Sequence, residues 1–526
     1  MLKTLCIPHP ALPGTSALFR DYLYDFDRVK SFYRYNPNDP DSVRQAAPLA
    51  RIPDDRRRAV VAALRRINPS SPSLDALENP ATVAVVTGQQ VSLFGGPCYA
   101  LYKALTAVKL ARQLTAAGIP AVPVFWMATE DHDLAETDHC WVFDPAHQPH
   151  RLSARLRGVL GQPVGSMEID SVPLNGLKAE LRDFPFASEI LEQVAAAYQP
   201  GRTLCEAFRT LLSTLLHGLD LIFFDPLDPA IRAAAAPFLT QALDQSDALS
   251  EALLARGAEL RAAGYHAQVL FEPDSSLFLL LERGRRIALR RGAGAYFHGN
   301  HRYETAALAA APAALSPNAL LRPVMQDYLL PTVAYIGGPA EIAYFAQSAV
   351  LYAALLDRMP VVVSRAGFTL LDRRAASLLD RFDLTLADCL EPQTVLRDRM
   401  AKQLLPANLD TLFGAADQAV LDAAMPLQDA LERFDPTLAP ALAKSVAKMR
   451  YQLDKNRRKA AREALRRDER VSGGAAYLSG SLFPERHLQE RLYSFLPFLA
   501  QHGPALIPTL LEHACRACPD HLLLTL

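Results

Sequence analysis

Ala81-Thr82-Val83-Ala84-Val85-Val86, running into Thr87-Gly88-Gln89-Gln90 and then, after a short loop, Gly95-Gly96-Pro97, is the stretch whose reading decides the fold. A continuous apolar run of this length, bounded by Pro80 and Gly88, is too short for a helix and has no polar face, so it predicts a strand buried on both sides. From Pro97 to Leu114, Leu101, Leu105, Val108 and Leu114 recur at helical spacing, with Pro97 in the first turn and Gly118 as the stop. Pro120 to Met127 supplies a second buried strand. Strand, helix, strand over residues 81–127 is the unit from which parallel sheets are built.

A second copy is read at residues 332–363. Thr332 to Ile336 predicts a strand, Gly337-Gly338-Pro339 the turn, Ala340 to Leu356 a helix, and Val361-Val362-Val363 the next strand. The likeness of the two Gly-Gly-Pro turns points to two halves of one doubly wound α/β sheet. Between them Asp220 to Phe224 predicts a strand, Ala230 to Leu243 a helix, and Leu277 to Glu282 with Arg285 to Leu289 a hairpin around Gly284. Segments near 145–200 and 265–315 interrupt the parallel pattern and read as insertions into a core spanning residues 1–385.

The remainder changes character. Over 386–470 the chain turns helical, and from Gln418 to Arg467 glycine is absent, Pro426, Pro436 and Pro440 punctuate, and Ala, Leu, Lys and Arg dominate. Leu442, Val446, Met449, Leu453, Asn456 and Ala460 alternate four and three apart, the seam of a coiled coil, which predicts a homodimer held by the 417–467 helices. Residues 471–526 are expected to pack back on the core.

Composition excludes several classes. The 526 residues hold 55 Lys plus Arg against 56 Asp plus Glu, a formal charge of -1, and the runs Arg56–Arg58, Arg285–Arg286, Arg290–Arg291 and Arg457–Arg458 are mostly offset by acids, so a nucleic-acid partner is not expected. Cys6, Cys98, Cys140, Cys205, Cys389, Cys515 and Cys518 are odd in number and scattered, with no disulfide framework, as in a reducing compartment. Cys515 and Cys518 have C-x-x-C spacing, but zinc needs two more ligands, for which only His513 and His521 offer themselves. Pro8, Pro10 and Pro13 interrupt any signal-peptide core, and no apolar run approaches the ~20 residues of a membrane span. A cytoplasmic protein without a membrane partner is expected.

Three clusters carry chemistry. Gly88, Gln89, Gln90 and Gly96 lie where the first strand ends, with Tyr99 and Lys103 one helical turn apart on the following helix. This is neither a Walker loop nor G-x-G-x-x-G. Thr129-Glu130-Asp131-His132-Asp133 closes the second strand, where three carboxylates and an imidazole can hold a metal, orient an amine or act as acid and base. The third set runs from Ser316-Pro317-Asn318 through Arg322, Gln326 and Asp327 to Gly338, Glu341 and Tyr344, with Ser364 and Arg365 beyond the next strand. Arginine pairs bidentately with carboxylate or phosphate.

These runs, with Gly96-Pro97, Tyr102-Lys103-Ala104, Phe125-Trp126, Arg322-Pro323, Tyr335, Gly338-Pro339-Ala340-Glu341-Ile342-Ala343-Tyr344, Leu482-Phe483-Pro484-Glu485-Arg486 and Leu488-Gln489-Glu490-Arg491, resemble the cysteine-adding enzymes of bacillithiol biosynthesis, the BshC family. The resemblance implies a nucleotidyltransferase-like Rossmann core with inserted connecting segments, a dimerising coiled coil, and the joining of cysteine to glucosaminyl-malate through an amide bond. Gly95 and Cys98 depart from the family pattern without touching the polar motif residues.

Because amide formation from a free carboxylate is uphill, ATP or another nucleotide, with magnesium, is expected as the activating reagent, and no tightly bound cofactor or metal. In that scheme the first turn, Lys103 and Arg365 meet phosphates, Asp131, His132 or Asp133 handles the amine proton, and Arg322 holds malate carboxylates. Two rival readings are a metal-dependent hydrolase using Glu130 to Asp133 and a non-enzymatic dimeric scaffold that senses a thiol metabolite.

Overall fold

The computed structural model describes residues 4–292, 294–468, 473–514 and 518–526. They fall into two compact units. One comprises Met1–Pro145, Pro149–Thr369 and Glu490–Leu524, the other Ala146–Gln148, Leu370–Gln489 and Thr525–Leu526.

The first unit is built on five strands, β1 (Val83–Gln89), β2 (Ala121–Met127), β3 (Ile222–Phe224), β4 (Thr332–Gly337) and β5 (Val361–Ser364). Their order is β5-β4-β1-β2-β3 and every pairing is parallel. The connections run outward from β1 in one direction to β3, then return past β1 to β4 and continue to β5. That reversal creates a switch point between β1 and β4, where a doubly wound sheet opens a crevice at the carboxyl ends of its strands.

Alternation along β1 explains why the run has no polar face. Val83 and Val85 pack with Ala107, Leu110, Ala111 and Leu114 of α1 (Cys98–Ala116), whereas Ala84 and Val86 join the opposite cluster with Val124, Trp126 and Phe224. That second cluster also takes Phe238 of α2 (Pro229–Asp244) and Ile342, Phe345 and Tyr352 of α4 (Pro339–Leu355). Helices therefore cover both faces, and each large side chain so buried contributes roughly 1.5–3 kcal/mol. Residue Asp228 starts α2 as its N-cap, accepting from the Ala230 and Ile231 amides at 2.9 and 3.3 Å.

Two segments interrupt the winding. Between β2 and β3 stand two antiparallel ribbons, His139–Phe143 with Pro149–Ser153 and Arg155–Arg157 with Glu168–Ser171, and helices that include Leu204–Leu215. Between β3 and β4 comes a five-stranded sheet whose centre is the hairpin of Ser275–Glu282 and Arg285–Gly292. Both of its turn residues, Arg283 (φ 51) and Gly284 (φ 74), are left-handed, as a two-residue hairpin matched to strand twist requires. After it, α3 (Arg322–Leu329) leads into β4.

The second unit is helical. Helices α5 (Gln393–Gln403), α6 (Ala407–Phe434) and α7 (Ala439–Arg467) follow one another, and Arg450–Asp417 and Arg457–Asp410 ion pairs tie α7 to α6 as an antiparallel hairpin, with Arg462–Asp398 linking it to α5. Pro426, read as punctuation, lies inside α6, whose exposed surface there can lose one backbone hydrogen bond to water. Leu442, Val446 and Leu453 are half-buried in the hairpin, while Met449 keeps 47% of its surface exposed. Among the described residues no helix is long and apolar enough to cross a membrane.

Candidate active site at the sheet switch point

A cleft of about 410 Å³ opens between the carboxyl ends of β1 and β4. Its floor begins at Gly88, where a Cβ would stand 3.0 Å from the Trp126 carbonyl oxygen of the neighbouring strand, so only glycine fits without displacement. The Gly88 carbonyl accepts from Nζ of Lys103 at 2.9 Å, and Oε1 of Gln89 accepts from the same ammonium at 2.9 Å.

Lys103 is 4% exposed and its third partner is the carboxylate of Glu341. Glu341 is the third residue of α4, and its side chain turns back to accept from the Gly338 amide at 2.7 Å and from the Tyr335 hydroxyl at 2.6 Å. Burial pushes the Lys103 ammonium below its ordinary value against the pull of Glu341. Burial pushes the Glu341 carboxyl up, but Lys103 and the Gly338 amide outweigh it and hold the group below the usual carboxylate range. The pair therefore joins β1–α1 to β4–α4 across the switch point.

Two arginines flank it. Arg322 donates to the Tyr344 hydroxyl at 2.9 Å and to Gln326 at 3.1 Å, with its guanidinium 5.9 Å from the ring centres of Trp126 and Tyr335. Its partners at the cleft are neutral, and its charge is balanced only at longer range by Glu341. Arg365 instead forks onto Glu490 at 2.8 and 2.5 Å, and its guanidinium lies 5.6 Å from the Tyr99 ring centre. At the opposite rim Gln90 donates to Asp131 at 2.5 Å and to Glu136 at 2.7 Å.

Of the residues expected from sequence, Gly88, Gln89, Gln90, Tyr99, Lys103, Asp131, Arg322, Gly338, Glu341, Tyr344 and Arg365 line this one cleft. Others do not. Glu130 is buried in an ion pair with Arg232, which also holds the Ala313 and Leu315 carbonyls, so its charge is spent on fastening an insertion. Asp133 caps the following turn through the Ala135 amide at 3.1 Å, and His132 turns toward Arg286, 3.4 Å away. Asn318 closes its own turn by accepting from the Leu320 and Leu321 amides, each at 3.0 Å. Gln326 and Asp327 are fully buried, Asp327 accepting from the Tyr352 hydroxyl at 2.6 Å. Ser364 bonds weakly to its neighbour's carbonyl at 3.3 Å, and Gly96 (φ 71) faces Ser92.

Glu136, Arg491, Trp126 and Tyr335 also line the cleft and are not among the site residues expected from sequence. Tyr335 was findable from strand alternation, because it stands two residues before Gly337 on the sheet face that carries Trp126. Arg491 is exposed and, among the described residues, makes no ion pair or hydrogen bond; its run Leu488-Gln489-Glu490-Arg491 belongs to the motif set and its segment is expected to pack back on the core, but no local pattern shows that it reaches this cleft. The possible zinc ligands also separate. His513 bonds to the Thr509 carbonyl of its own helix at 2.9 Å, His521 is buried against Thr369 at 2.8 Å, and Cys515 lies outside the described residues.

Comparison with known proteins gives two family matches that together cover nearly the whole chain. Residues 2–366 match "Bacillithiol biosynthesis BshC, N-terminal Rossmann-like domain" and residues 368–526 match "Bacillithiol biosynthesis BshC, C-terminal coiled-coil domain". A protein of Solibacter usitatus is 48% identical over 98% of each chain, one of Koribacter versatilis 37% over 98% of each, and one of Symbiobacterium thermophilum 34% over 96% of each. All three carry the name "Putative cysteine ligase BshC".

Proposed function

The chain belongs to the BshC family of bacillithiol biosynthesis, and on that premise we propose that it is a ligase that joins the carboxyl group of cysteine to the amino group of glucosaminyl-malate as an amide. The observation that carries the reading is the cleft at the β1/β4 switch point, where a buried lysine, two arginines and the first turn of α4 converge. Acid groups on both reactants and phosphates on an activating nucleotide call for that concentration of cations and backbone amides.

A nucleotide supplies the activation that a free carboxylate lacks. The residues present fit its phosphates: in the first turn of α4 the Ala340 and Glu341 amides have no intrahelical acceptor, and Lys103 stands one ion pair away. Glu136 is an oxygen donor of the kind magnesium takes. Arg322, with no carboxylate at bonding distance, receives the malate carboxylates. Asp131, held by Gln90 at the cleft rim, accepts a proton from the attacking amine, since only the unprotonated amine is nucleophilic. Glu130, His132 and Asp133 take no part in this scheme, because each points to a separate structural partner, and the same divergence leaves a hydrolytic metal site at Glu130 to Asp133 without a ligand set.

The chain acts as a homodimer through α6 and α7, whose exposed Leu412, Met425, Leu427, Phe434, Met449 and Tyr451 are large apolar surface. Its expected setting is the cytoplasm.

Incubating the protein with cysteine, glucosaminyl-malate and ATP tests the reading by mass spectrometry. The expected result is bacillithiol together with AMP or ADP. Nucleotide-independent loss of either substrate, or no coupled product, contradicts it.

A further inference from the structure

The two ends of the described chain meet in an antiparallel strand pair, Thr4–Ile7 with His521–Thr525, in which Cys6 stands opposite Leu522. This pairing brings Sγ of Cys6 to 3.5 Å from Sγ of Cys518, and a carboxylate oxygen of Asp520 lies within 4.8 Å of both sulfurs. Neither cysteine is in a disulfide. The Asp520 carboxylate is itself oriented, because Oδ1 accepts from the Tyr24 hydroxyl at 2.7 Å, and that hydroxyl accepts from the His9 amide at 2.9 Å. None of these groups belongs to the switch-point cleft.

A sulfur–sulfur separation of 3.5 Å is far beyond a bond, which is about 2.05 Å. It is close to the edge of about 3.8 Å that two thiolates make when each stands 2.3 Å from a tetrahedral ion. Two soft sulfurs and one hard oxygen, the latter oriented by a hydrogen bond from Tyr24 as metal-binding carboxylates usually are by a neighbour, form a donor set that suits zinc. Cys6 is exposed, so an ion has a path in.

The geometry points to a zinc site made by Cys6, Cys518 and Asp520, with water in the fourth position, stapling the first strand of the chain to the last. Binding exchanges two thiol protons for one divalent ion and needs no oxidant. An ion held only by the folded state stabilises it, and the gain grows with the logarithm of the ion's concentration over its dissociation constant. Cys515 is no part of the assignment.

The test uses the full chain, reduced and stripped with EDTA, and titrated with cobalt(II) as the spectroscopic probe. The expected result is one cobalt per chain with a sulfur-to-metal charge-transfer band, displacement by zinc, and a higher melting temperature with zinc than without. Cys6→Ser and Cys518→Ser should each weaken binding by at least about 100-fold and Asp520→Asn by at least about 10-fold, since losing even a residue that only orients a ligand costs about 10- to 100-fold. Circular dichroism of the metal-free variants separates a lost site from a lost fold. A charge-transfer band that survives in the Cys6→Ser/Cys518→Ser double variant overturns the site, as does folded wild-type protein that takes up no cobalt or forms a Cys6–Cys518 disulfide in preference to binding it.

Discussion

Gly95-Gly96-Pro97 and Gly337-Gly338-Pro339 are the same three residues, each just ahead of a helix that packs on the same sheet, yet only the second turn builds the cleft. Gly337 is still paired in β4, so α4 starts at the edge of the sheet and its first turn faces the switch point. The first turn follows β1 by several residues. Gly95 (φ 83) and Gly96 (φ 71) are left-handed, and a Cβ on Gly95 would meet the Phe495 ring at 2.4 Å. One turn lines the cleft and the other serves a close approach of chain segments. Position relative to the strand end, not composition, decides the role.

That contrast can be broken at both turns. The largest effect is expected where the two halves are tied together. Lys103→Met should lower turnover by at least ~100-fold, the scale for a positioned catalytic group. It should also destabilise the protein by about 3–5 kcal/mol, because Glu341 is left as an uncompensated buried charge. Adding Glu341→Gln should restore melting without restoring turnover; restored turnover would make the pair purely structural. Gly95→Ala comes next and acts on the fold, by about 1–3 kcal/mol from the left-handed backbone and the Phe495 contact together. Its measure is denaturant unfolding, with activity per folded molecule unchanged.

Gly338→Ala is the mirror experiment. The added methyl would find Oε2 of Glu341 at 3.4 Å and Nε of Arg365 at 3.7 Å, ordinary contacts on a backbone that is not left-handed. Melting should stay at the wild-type value while turnover falls by about 10-fold, as the methyl narrows the approach to the α4 amides. Equal thermal losses at Gly95 and Gly338 would erase the distinction.

A smaller effect is expected in pH dependence. Glu341 has its folded-state carboxyl held below its unfolded value, so its contribution to stability is present above the unfolded value of about 4.5 and is lost as pH falls through the depressed one. Glu341→Gln should flatten that acid limb, measured by urea unfolding over a pH series. An unchanged limb would show that Lys103 does not hold the carboxylate.

How much of this was legible follows from the range of the interactions. The buried strands and the helix between them are written in local periodicity, and the sequence around Val83–Gln89 suffices to place them. The convergence of Lys103 with Glu341 is not local: each residue stood out by its place after a turn, but only strand order brings residues 238 positions apart into an ion pair. Glu130 reads from sequence as one member of the acidic cluster, with a binding role, yet it is consumed by Arg232, a partner contributed by α2 that no spacing rule could supply. Arg491 failed the opposite way, reaching the cleft from a C-terminal segment with no periodic signal of where it would pack.

In the proposed reaction the Gly-Gly-Pro turn at β4, and not its twin after β1, contacts the reactants. A crystal structure of the wild-type protein soaked with cysteine and glucosaminyl-malate tests this directly. Ligand density between Gly88–Gln90 and Gly338–Glu341, with an acid group on Arg322, is the predicted result, and density at Gly95–Pro97 with an empty switch point would contradict it.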